Sequence, residues 1–369
     1  MKIGIFTFHC AINYGAVLQT FALQEYLKKQ GHEVYVINYR PDYLINEYKL
    51  FSWKWRFNES IRSNIILFIR SLLVMPIKIK RKYMFSRFVN KYLNLFSFNQ
   101  EKIERGFDVF VFGSDQIWNP LITNGLDKIF FGKIPHTDNV LKISYAASAG
   151  CVDNLCPYKY EFKNLVLNLN YISVRERSLS NFLLNRFKIE SEVVVDPVFL
   201  LNKKKYMSIS LNKQIKKSPY LLVFKLQNSD YVDAINDMAN KIASEKGLTI
   251  IELSSSSESL KNERSLNSIG ISGFISLFMN ADYILTTSFH GTAFSLIFEK
   301  DFNTVCYNRE KSERIIGLLN QLGLQNRFVD GTSVYETGII DYDTIHKKLC
   351  MLKSKSEQFL EKVLSTVAS

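Results

Sequence analysis

Residues 287–291 read Thr287-Ser288-Phe289-His290-Gly291. A short run typical of a buried strand, Tyr283–Thr286, precedes them, and an apolar run typical of a helix, Thr292–Phe298, follows them. In α/β proteins, a strand that ends in small and polar residues and then opens a helix presents those residues at the carboxyl end of a parallel sheet. The stretch therefore predicts an α/β fold with a ligand site at this turn.

Three residues of this turn suit a bound anion. Ser288 can cap the helix that follows, and the free N–H groups of a helix N-terminus attract anions. Gly291 has no side chain, so a ligand can approach the backbone closely beside His290. We predict that His290 contacts a ligand. The alternative is a histidine whose hydrogen bonds are satisfied within a strand–helix turn.

Strand-like and helix-like patterns alternate along the chain. Ile3–Phe8, Gly15–Gln30 and Val34–Tyr39 form a βαβ unit, which implies a parallel sheet with right-handed crossovers. We predict a linker at residues 203–205, Lys203-Lys204-Lys205, because a second alternating set follows them. A length of 369 residues also fits two domains of ordinary size.

The predicted fold is therefore α/β, with two doubly wound, Rossmann-like domains whose strand-end loops face a cleft. The N-terminal domain is expected over residues 1–200, with a basic helical insert over 41–100. The C-terminal domain is expected over residues 206–342. A final helix over 343–369 is expected to pack back on the first domain.

The positive charge is concentrated in the 41–100 insert, which holds eleven Lys/Arg and three acidic residues in a chain of net charge +12. Large apolar residues, among them Trp53, Trp55, Leu72 and Leu73, interleave with the basic ones. Pro76 cuts the apolar run, which is too short to span a bilayer. The pattern fits either an amphipathic helix on an anionic membrane surface or a helical layer that covers a sheet with its basic face in water. No nucleic-acid recognition motif accompanies the charge, so nucleic acid is not a predicted partner.

The cysteines and the first residues indicate a cytoplasmic protein. The five cysteines are odd in number and form no CxxC pair, so we predict reduced thiols and no metal site. Lys2–Phe8 has a buried-strand pattern rather than the pattern of a secretory signal.

Basic residues follow two of the predicted strands, where their side chains could bind an anion. Arg175 follows the strand-like run Tyr171–Val174, so its planar guanidinium should emerge at the cleft and could bind a carboxylate or phosphate. The alternative is a structural ion pair with Glu176 or Asp196. Three further cations follow the strand-like run Thr304–Cys306 and could hold phosphate or begin a solvated helix: Arg309, Lys311 and Arg314.

Polar residues at other strand ends could bind a sugar. Asp115 and Gln116 could hydrogen-bond sugar hydroxyls, and Asp115 could act as a base. The alternative for Asp115 is a carboxylate that caps a turn. Asn13 and Tyr14 could contact a ligand or could shape the loop in which they lie.

Six short segments in these loops are distributed along most of the chain: Asn13–Gln19, Phe112–Asn119, Tyr145–Gly150, Ser173–Glu176, Val195–Pro197 and Ser288–Gly291. Their sequences and their order resemble the polysaccharide pyruvyl transferase family. The resemblance implies a fold like that of the two-domain glycosyltransferases of the GT-B type. It also implies phosphoenolpyruvate as donor co-substrate, no further cofactor, and a sugar acceptor that receives the pyruvyl group as a cyclic ketal on two hydroxyls.

The resemblance places the family's donor-contacting arginine and histidine on Arg175 and His290. The expected donor-binding residues are Arg175, Ser288, Phe289, His290, Gly291 and Arg314. The expected acceptor-binding residues are Asn13, Tyr14, Ser114, Asp115, Gln116 and Trp118. For catalysis we expect Arg175, His290 and Asp115. His290 would protonate C3 of the donor or hydrogen-bond the leaving phosphate, and Asp115 would accept the hydroxyl proton. No metal is demanded by this scheme.

The leading functional prediction is a pyruvyl transferase of surface-polysaccharide synthesis, of the exopolysaccharide or capsule type. Its acceptor would be lipid-linked, and the basic insert would hold the protein at the inner face of the cell membrane. One alternative is a GT-B-like glycosyltransferase that uses a nucleotide-sugar, which needs room for a base and a ribose. The other is a non-catalytic membrane-surface module for polysaccharide assembly.

Overall fold

The chain folds around two parallel β-sheets, one in each half. The computed structural model describes residues 1–50, 60–98, 103, 106–137, 139–211, 215, 218–225, 232–254, 266, 268–306, 312–330, 335 and 338–368. Four residues named in the sequence predictions lie outside the described residues: Trp53, Trp55, Arg309 and Lys311.

The first sheet is built by the N-terminal half. Its strands are β1 (Lys2–Phe6), β2 (Glu33–Asn38), β3 (Leu95–Ser97), β4 (Val109–Phe112), β5 (Leu141–Ala147), β6 (Tyr171–Val174) and β7 (Glu192–Val193). Their order in space is β3-β2-β1-β4-β5-β6-β7, and neighbouring strands are parallel. The order reverses between β1 and β4, the point at which doubly wound sheets bind ligands.

The second sheet is built by the C-terminal half. Its strands are β8 (Tyr220–Lys225), β9 (Thr249–Ser254), β10 (Tyr283–Thr286), β11 (Asp301–Val305) and β12 (Phe328–Val329). Their order is β12-β11-β10-β8-β9, again parallel throughout. The order reverses between β8 and β10, so the turn after β10 lies at the second sheet's switch point.

Helices connect the strands and cover both sheets. They are α1 (Tyr14–Lys29), α2 (Asp42–Glu47), α3 (Ile61–Tyr92), α4 (Pro120–Thr123), α5 (Lys159–Val166), α6 (Arg177–Phe187), α7 (Lys203–Met207), α8 (Val232–Lys246), α9 (Ile271–Asn280), α10 (Phe289–Ile297), α11 (Glu313–Leu322) and α12 (Tyr342–Ala368). Within the described part of the chain, none of them is both long enough and apolar enough to cross a membrane.

Side chains from both faces of each sheet are buried against helices. Ile3 and Ile5 of β1 pack with residues of α1 and α12, whereas Phe6 packs on the opposite face with residues of α5 and α6. In the second sheet, Leu221 packs with α8, and Leu222 packs with α9 and α10 on the other face. Burial on both faces is the arrangement of a doubly wound sheet, so the predicted fold class is confirmed.

The last helix, α12, returns to the first sheet. Its buried residues Phe359 and Leu360 belong to the same hydrophobic cluster as Ile3 of β1. The Ser356 hydroxyl also accepts a hydrogen bond of 2.9 Å from the Val195 N–H. The helix thereby holds the chain immediately before Asp196.

Two local features differ from the sequence predictions. The 41–100 insert was expected to be helical, but Leu95–Ser97 forms β3, whose Leu95 pairs with Val36 of β2. A strand of three residues is too short to show an alternation of apolar and polar residues in the sequence. The expected linker at Lys203–Lys205 begins α7, because the Asn202 side chain caps that helix at the Lys205 N–H.

Candidate active site between the two sheets

The N-termini of α1 and α10 meet between the two sheets. Gly15, in the first turn of α1, lies so close to His290 in the first turn of α10 that a methyl group at Gly15 would overlap the imidazole ring. Beside them, the Tyr14 hydroxyl donates a 2.6 Å hydrogen bond to the carbonyl of Ile269. The two halves of the chain are therefore in contact at the strand-end loops.

The N-termini of the two helices are capped differently at this junction. In α1, the Asn13 side chain accepts from the Gly15 and Ala16 N–H groups at 2.9 and 3.3 Å. In α10, Ser288 occupies the capping position as predicted, but its side chain makes no capping hydrogen bond. The first N–H groups of α10 therefore lack a side-chain cap and can receive an anion.

Arg175 is the centre of a buried charge cluster. Its Nη1 donates to Asp196 at 2.6 Å and its Nε donates to Glu176 at 3.3 Å. Asp115 Oδ1 lies 4.0 Å from Nη2, which has no hydrogen-bond partner in the described part of the chain. Arg175 is 8% exposed. Arg175 therefore forms the structural ion pairs with Glu176 and Asp196 that were the alternative to ligand binding. Its Nη2 has no hydrogen-bond partner among the described residues and can bind a ligand.

Asp196 lies between Arg175 and His290. The same oxygen, Oδ2, that accepts from Arg175 lies 3.7 Å from His290 Nε2 and accepts from the Ser114 hydroxyl at 3.3 Å. Asp196 is 1% exposed. Burial alone would raise the pKa of Asp196, but His290 and Arg175 lower it well below its ordinary value. Asp196 is therefore an anion that faces both predicted donor-contacting residues.

Phe289 packs against both Arg175 and His290. The centre of its ring lies 4.8 Å from the Arg175 guanidinium carbon, and the His290 ring meets it edge to face at 5.3 Å. Arg175 comes from the first sheet, whereas Phe289 and His290 come from the second. The aromatic ring therefore contacts residues from both halves and shields the Arg175 charge from water, which strengthens electrostatic interactions in the site.

A cavity of about 350 Å³ adjoins the cluster and is lined in part by Arg175, Phe289, Arg314 and Lys355. Arg314 Nε has no hydrogen-bond partner in the described regions. Burial, together with the charge of Arg175, lowers the pKa of Arg314. Two guanidinium groups with unused donors at one small cavity suit a ligand with more than one negative charge.

Asp115 borders the cluster from a strained turn. Its backbone φ is +74°, and its Oδ1 accepts a 2.9 Å hydrogen bond from the Gln116 N–H. The carboxylate therefore caps a turn, as the alternative reading expected, and also lies beside Arg175. Its roles as a base and as an acceptor ligand remain predictions.

The other predicted acceptor residues are dispersed. Tyr14, Ser114 and Trp118 are buried. Trp118 stacks on Phe131 and donates to the carbonyl of Phe130, and so belongs to the core of the first domain. Gln116 and Asn13 are half-buried. A buried ring cannot touch a sugar unless the chain moves, and the acceptor roles of these residues remain predictions.

Asp196 and Gly15 belong to the cluster but were absent from the predicted site residues. Asp196 follows a strand-like run and precedes Pro197, so its position gave the same strand-end signal as Arg175. Gly15 gave no comparable signal, because its importance depends on a contact with His290 that is 275 residues away in the chain.

The sequence profile of the polysaccharide pyruvyl transferase family matches residues 13–307, a span that contains Gly15, Arg175, Asp196 and His290. The chain belongs to the polysaccharide pyruvyl transferase family. The predicted family is therefore confirmed, and because it is a family of enzymes, so is the prediction of an enzyme. No curated protein sequence matches the chain.

Solved structures of other sugar enzymes share the fold. The UDP-N-acetylglucosamine 2-epimerase of Rickettsia bellii aligns with a TM-score of 0.50 at 12% identity, covering 100% of this chain and 97% of the epimerase. The UDP-GlcNAc 2-epimerase of Methanocaldococcus jannaschii aligns with a TM-score of 0.50 at 14% identity, covering 99% and 100%. At this identity the likeness shows the fold alone. The pyruvyl transferase family member described here has the GT-B fold.

Proposed function

We propose that this protein transfers the pyruvyl group of phosphoenolpyruvate to two hydroxyls of a sugar, forming a cyclic ketal and releasing phosphate. The observation that carries the proposal is the cluster in which Asp196 lies between Arg175 and His290. The donor carries a carboxylate and a phosphate. Arg175 and the uncapped N-terminus of α10 are two adjacent anion sites of the required kind.

The reaction needs one proton at C3 of the donor and two new bonds at C2. A first sugar hydroxyl attacks C2 while His290 protonates C3, and Asp115 takes the hydroxyl proton. A second hydroxyl then attacks C2, the bond from C2 to the phosphate oxygen breaks, and the phosphate leaves with the second hydroxyl's proton. Asp196 stabilises protonated His290 from 3.7 Å, and Arg175 stabilises the charge of the departing phosphate.

Phosphoenolpyruvate is expected to raise the melting temperature of the protein. A ligand that binds only the folded state at 100 times its Kd stabilises that state by about 2.7 kcal/mol. Differential scanning fluorimetry measures the shift. Pyruvate and phosphate added together as separate molecules are the control, and they should stabilise less because the two anions are not joined. Stabilisation by a nucleotide-sugar, with none by phosphoenolpyruvate, would favour the glycosyltransferase alternative.

The direct test of the reaction is mass spectrometry of candidate sugars after incubation with the protein and phosphoenolpyruvate. The expected product carries one added pyruvate ketal, and phosphate is released in equal amount. Phosphate release without ketal would contradict group transfer.

We also propose that the outer face of α3 holds the protein against an anionic membrane, where a lipid-linked acceptor would be presented. Six large apolar side chains at helical spacing are between 44% and 67% exposed: Ile61, Ile65, Ile66, Ile69, Leu72 and Leu73. Contiguous exposed apolar surface of this kind normally marks an interaction site. The same helix carries a set of basic residues, which suits anionic lipid head groups: Arg62, Lys78, Lys80, Lys82 and Arg87.

The protein is expected to sediment with anionic vesicles at low salt and to dissociate as salt rises, because the charge attraction is screened. The double variant Ile66→Glu/Leu73→Glu should lose this binding, since it places charge on the exposed apolar face. Leu167→Glu is the matched control, because Leu167 is also exposed but lies at the end of α5. Equal binding by all three proteins, or none by the unmodified protein at low salt, would show that α3 is only a solvated cover.

A further inference from the structure

Glu176 is a buried carboxylate of which one oxygen has no partner. The residue is 5% exposed. Its Oε1 accepts from Arg175 Nε at 3.3 Å, whereas its Oε2 has no hydrogen-bond partner among the described residues. The same guanidinium donates to Asp196 at the shorter distance of 2.6 Å. Asp196 is therefore the principal counter-ion of Arg175, and the ion pair occupies Glu176 only in part.

The carboxylate of Glu176 is not used to cap a helix either. Glu176 occupies the N-cap position of α6, but its side chain makes no capping hydrogen bond. A carboxylate at a helix N-terminus is normally stabilised by the free N–H groups there. A buried carboxylate oxygen that lacks a hydrogen bond is costly to the folded state. The described contacts therefore account for one oxygen of Glu176 and leave the other without a structural role.

Glu176 faces the cavity beside the cluster. It lines this cavity of about 350 Å³ together with Arg175, Arg314 and Asp196. Both oxygens of Asp196 are occupied, since Oδ2 accepts from Arg175 and Oδ1 accepts from the Val198 N–H at 3.1 Å. The other charged or titratable groups nearby are Arg177, Glu313 and Lys355, which line the cavity, and Asp115 and His290, which lie beside Arg175 and Asp196.

The two buried acids of this cavity differ in their affinity for a proton. Burial raises the pKa of Glu176, and this effect outweighs the opposite effects of Arg175, Arg314 and the Ser148 hydroxyl. The neighbours of Asp196 instead lower its pKa. A multiply charged anion in the cavity would raise the pKa of Glu176 further. Two acids whose surroundings separate their pKa values in this way are suited to different roles in one reaction.

The geometry points to Glu176 as a further catalytic residue, an acid–base group that contacts the donor phosphate and serves the step in which the phosphate leaves. The inference rests on the proposed function, which names no protein group for the proton of this step. The C2–O bond breaks, its electron pair goes to the phosphate oxygen, and Glu176 gives that oxygen a proton. The second sugar hydroxyl bonds to C2 and gives its proton to the Glu176 carboxylate. Glu176 is thus restored, and the phosphate leaves with one proton gained.

Glu176→Gln is expected to lower the turnover number about 10²-fold, the lower end of the usual contribution of an acid–base group, because phosphate is itself a stable leaving anion. The amide keeps the shape of the side chain and an oxygen that can accept from Arg175, but it cannot transfer a proton. The KM for phosphoenolpyruvate should stay the same or fall, since a negative charge beside the anion is removed. Steady-state rates of phosphate release and ketal formation measure both constants. A raised KM with an unchanged turnover number would show that Glu176 only positions Arg175.

Two further variants complete the kinetic test. Glu192→Gln is the matched control, because Glu192 is an exposed carboxylate on β7 that does not line the cavity, and its turnover number should be normal. Glu176→Asp keeps a carboxyl group on a shorter side chain, so its turnover number should lie between those of the unmodified protein and Glu176→Gln. A Glu176→Asp protein no faster than Glu176→Gln would contradict proton transfer.

Proton uptake on donor binding tests the same role without turnover. Phosphoenolpyruvate would be titrated into the protein by isothermal calorimetry, at one pH, in two buffers with different enthalpies of ionisation. The unmodified protein and Glu192→Gln should take up more protons per bound donor than Glu176→Gln, which has no carboxyl group at this position. His290 is present in all three proteins, so its protonation does not produce the difference. Equal uptake by all three proteins would overturn the inference.

These measurements separate the inference from the proposed function. A Glu176→Gln protein that forms the ketal at the normal rate would leave the proposed function intact and remove only the role of Glu176. An unmodified protein that neither binds phosphoenolpyruvate nor forms a ketal would overturn the proposed function, and the role of Glu176 with it.

Discussion

Replacing His290 with alanine is expected to slow pyruvyl transfer by about 10²–10⁴-fold, the usual contribution of a general acid. His290 lies at the N-terminus of α10, 3.7 Å from the anionic Asp196, so it is placed to hold and deliver a proton. Rates of phosphate release and of ketal formation would both be measured at saturating phosphoenolpyruvate. A fall in the turnover number, with donor binding retained, is the expected pattern for a group that acts in the transition state.

The control for this variant is His346→Ala. The His346 side chain is 48% exposed on α12 and pairs with Glu299 at 3.3 Å, away from the cluster, so its loss should leave the rate unchanged. The fold of each variant would be checked by denaturation. A His290→Ala protein with a near-normal rate would contradict the catalytic role. One that failed to fold would show that the histidine is mainly structural.

Gly15→Ala tests the same histidine without removing it. The added methyl group would overlap the imidazole of His290, so the ring must leave the position in which it faces Asp196. We expect a loss of rate in the same direction as for His290→Ala. Gly338→Ala is the matched control, since a methyl group there meets no atom of the described residues within 4 Å. A normal rate in Gly15→Ala would mean that the position of the ring is unimportant.

Replacing Asp196 with asparagine is expected to lower the free energy of unfolding by about 3 kcal/mol. Breaking a buried ion pair by removing one partner costs about 3–5 kcal/mol, and the lower end applies because Glu176 still contacts Arg175. The amide keeps the shape of the side chain, so the effect reports the lost charge. Guanidinium denaturation followed by fluorescence measures the difference.

An exposed ion pair provides the comparison. Lys203 and Glu299 are 2.8 Å apart, with side chains 39% and 36% exposed. Glu299→Gln should change the free energy of unfolding by only about 0–1 kcal/mol, because water screens the pair. Equal effects of the two substitutions would mean that the charge of Asp196 is not a main support of the cluster.

The contribution of Asp196 should also depend on pH in a defined direction. Its pKa is lowered in the folded protein, so the unfolded chain takes up a proton first, near the ordinary value of about 3.9. The stabilisation is therefore complete above that pH and declines as the pH falls through the interval down to the folded-state pKa. The difference in stability between the unmodified protein and Asp196→Asn should shrink over the same interval.

The sequence predicted the parts of the fold and site that follow from local pattern. The strand and helix around residues 287–291 lie within three residues of the predicted bounds, because apolar runs and a small-residue turn define both elements. Arg175 was predicted at the cleft for the same reason, since strand-end residues of parallel sheets meet at one edge. By contrast, β3 and β12 have only three and two residues, which is too few to show the alternating pattern by which a strand is recognised in a sequence.

Features that depend on distant contacts could not be predicted in this way. The alternation of aromatic and polar residues around Tyr14 and Trp118 does not show which rings enter the core, so both were assigned to the acceptor. Arg81 lies in a basic run whose other members are mostly exposed, and nothing local marks it as buried. Its burial depends in part on a distant residue, Ser254 of the second sheet, whose carbonyl accepts a hydrogen bond from it.

The meeting of α1 and α10 makes the site dependent on domain closure. Asp196 and Arg175 belong to the first domain and His290 to the second, so any rotation that parts the domains removes the histidine from its counter-ion. In the proposed reaction, an open enzyme would offer phosphoenolpyruvate only one of the two anion sites and could not protonate it. If the proposed function holds, water that enters between the parted domains would meet the donor without an acid catalyst, so hydrolysis would be suppressed until both substrates are enclosed.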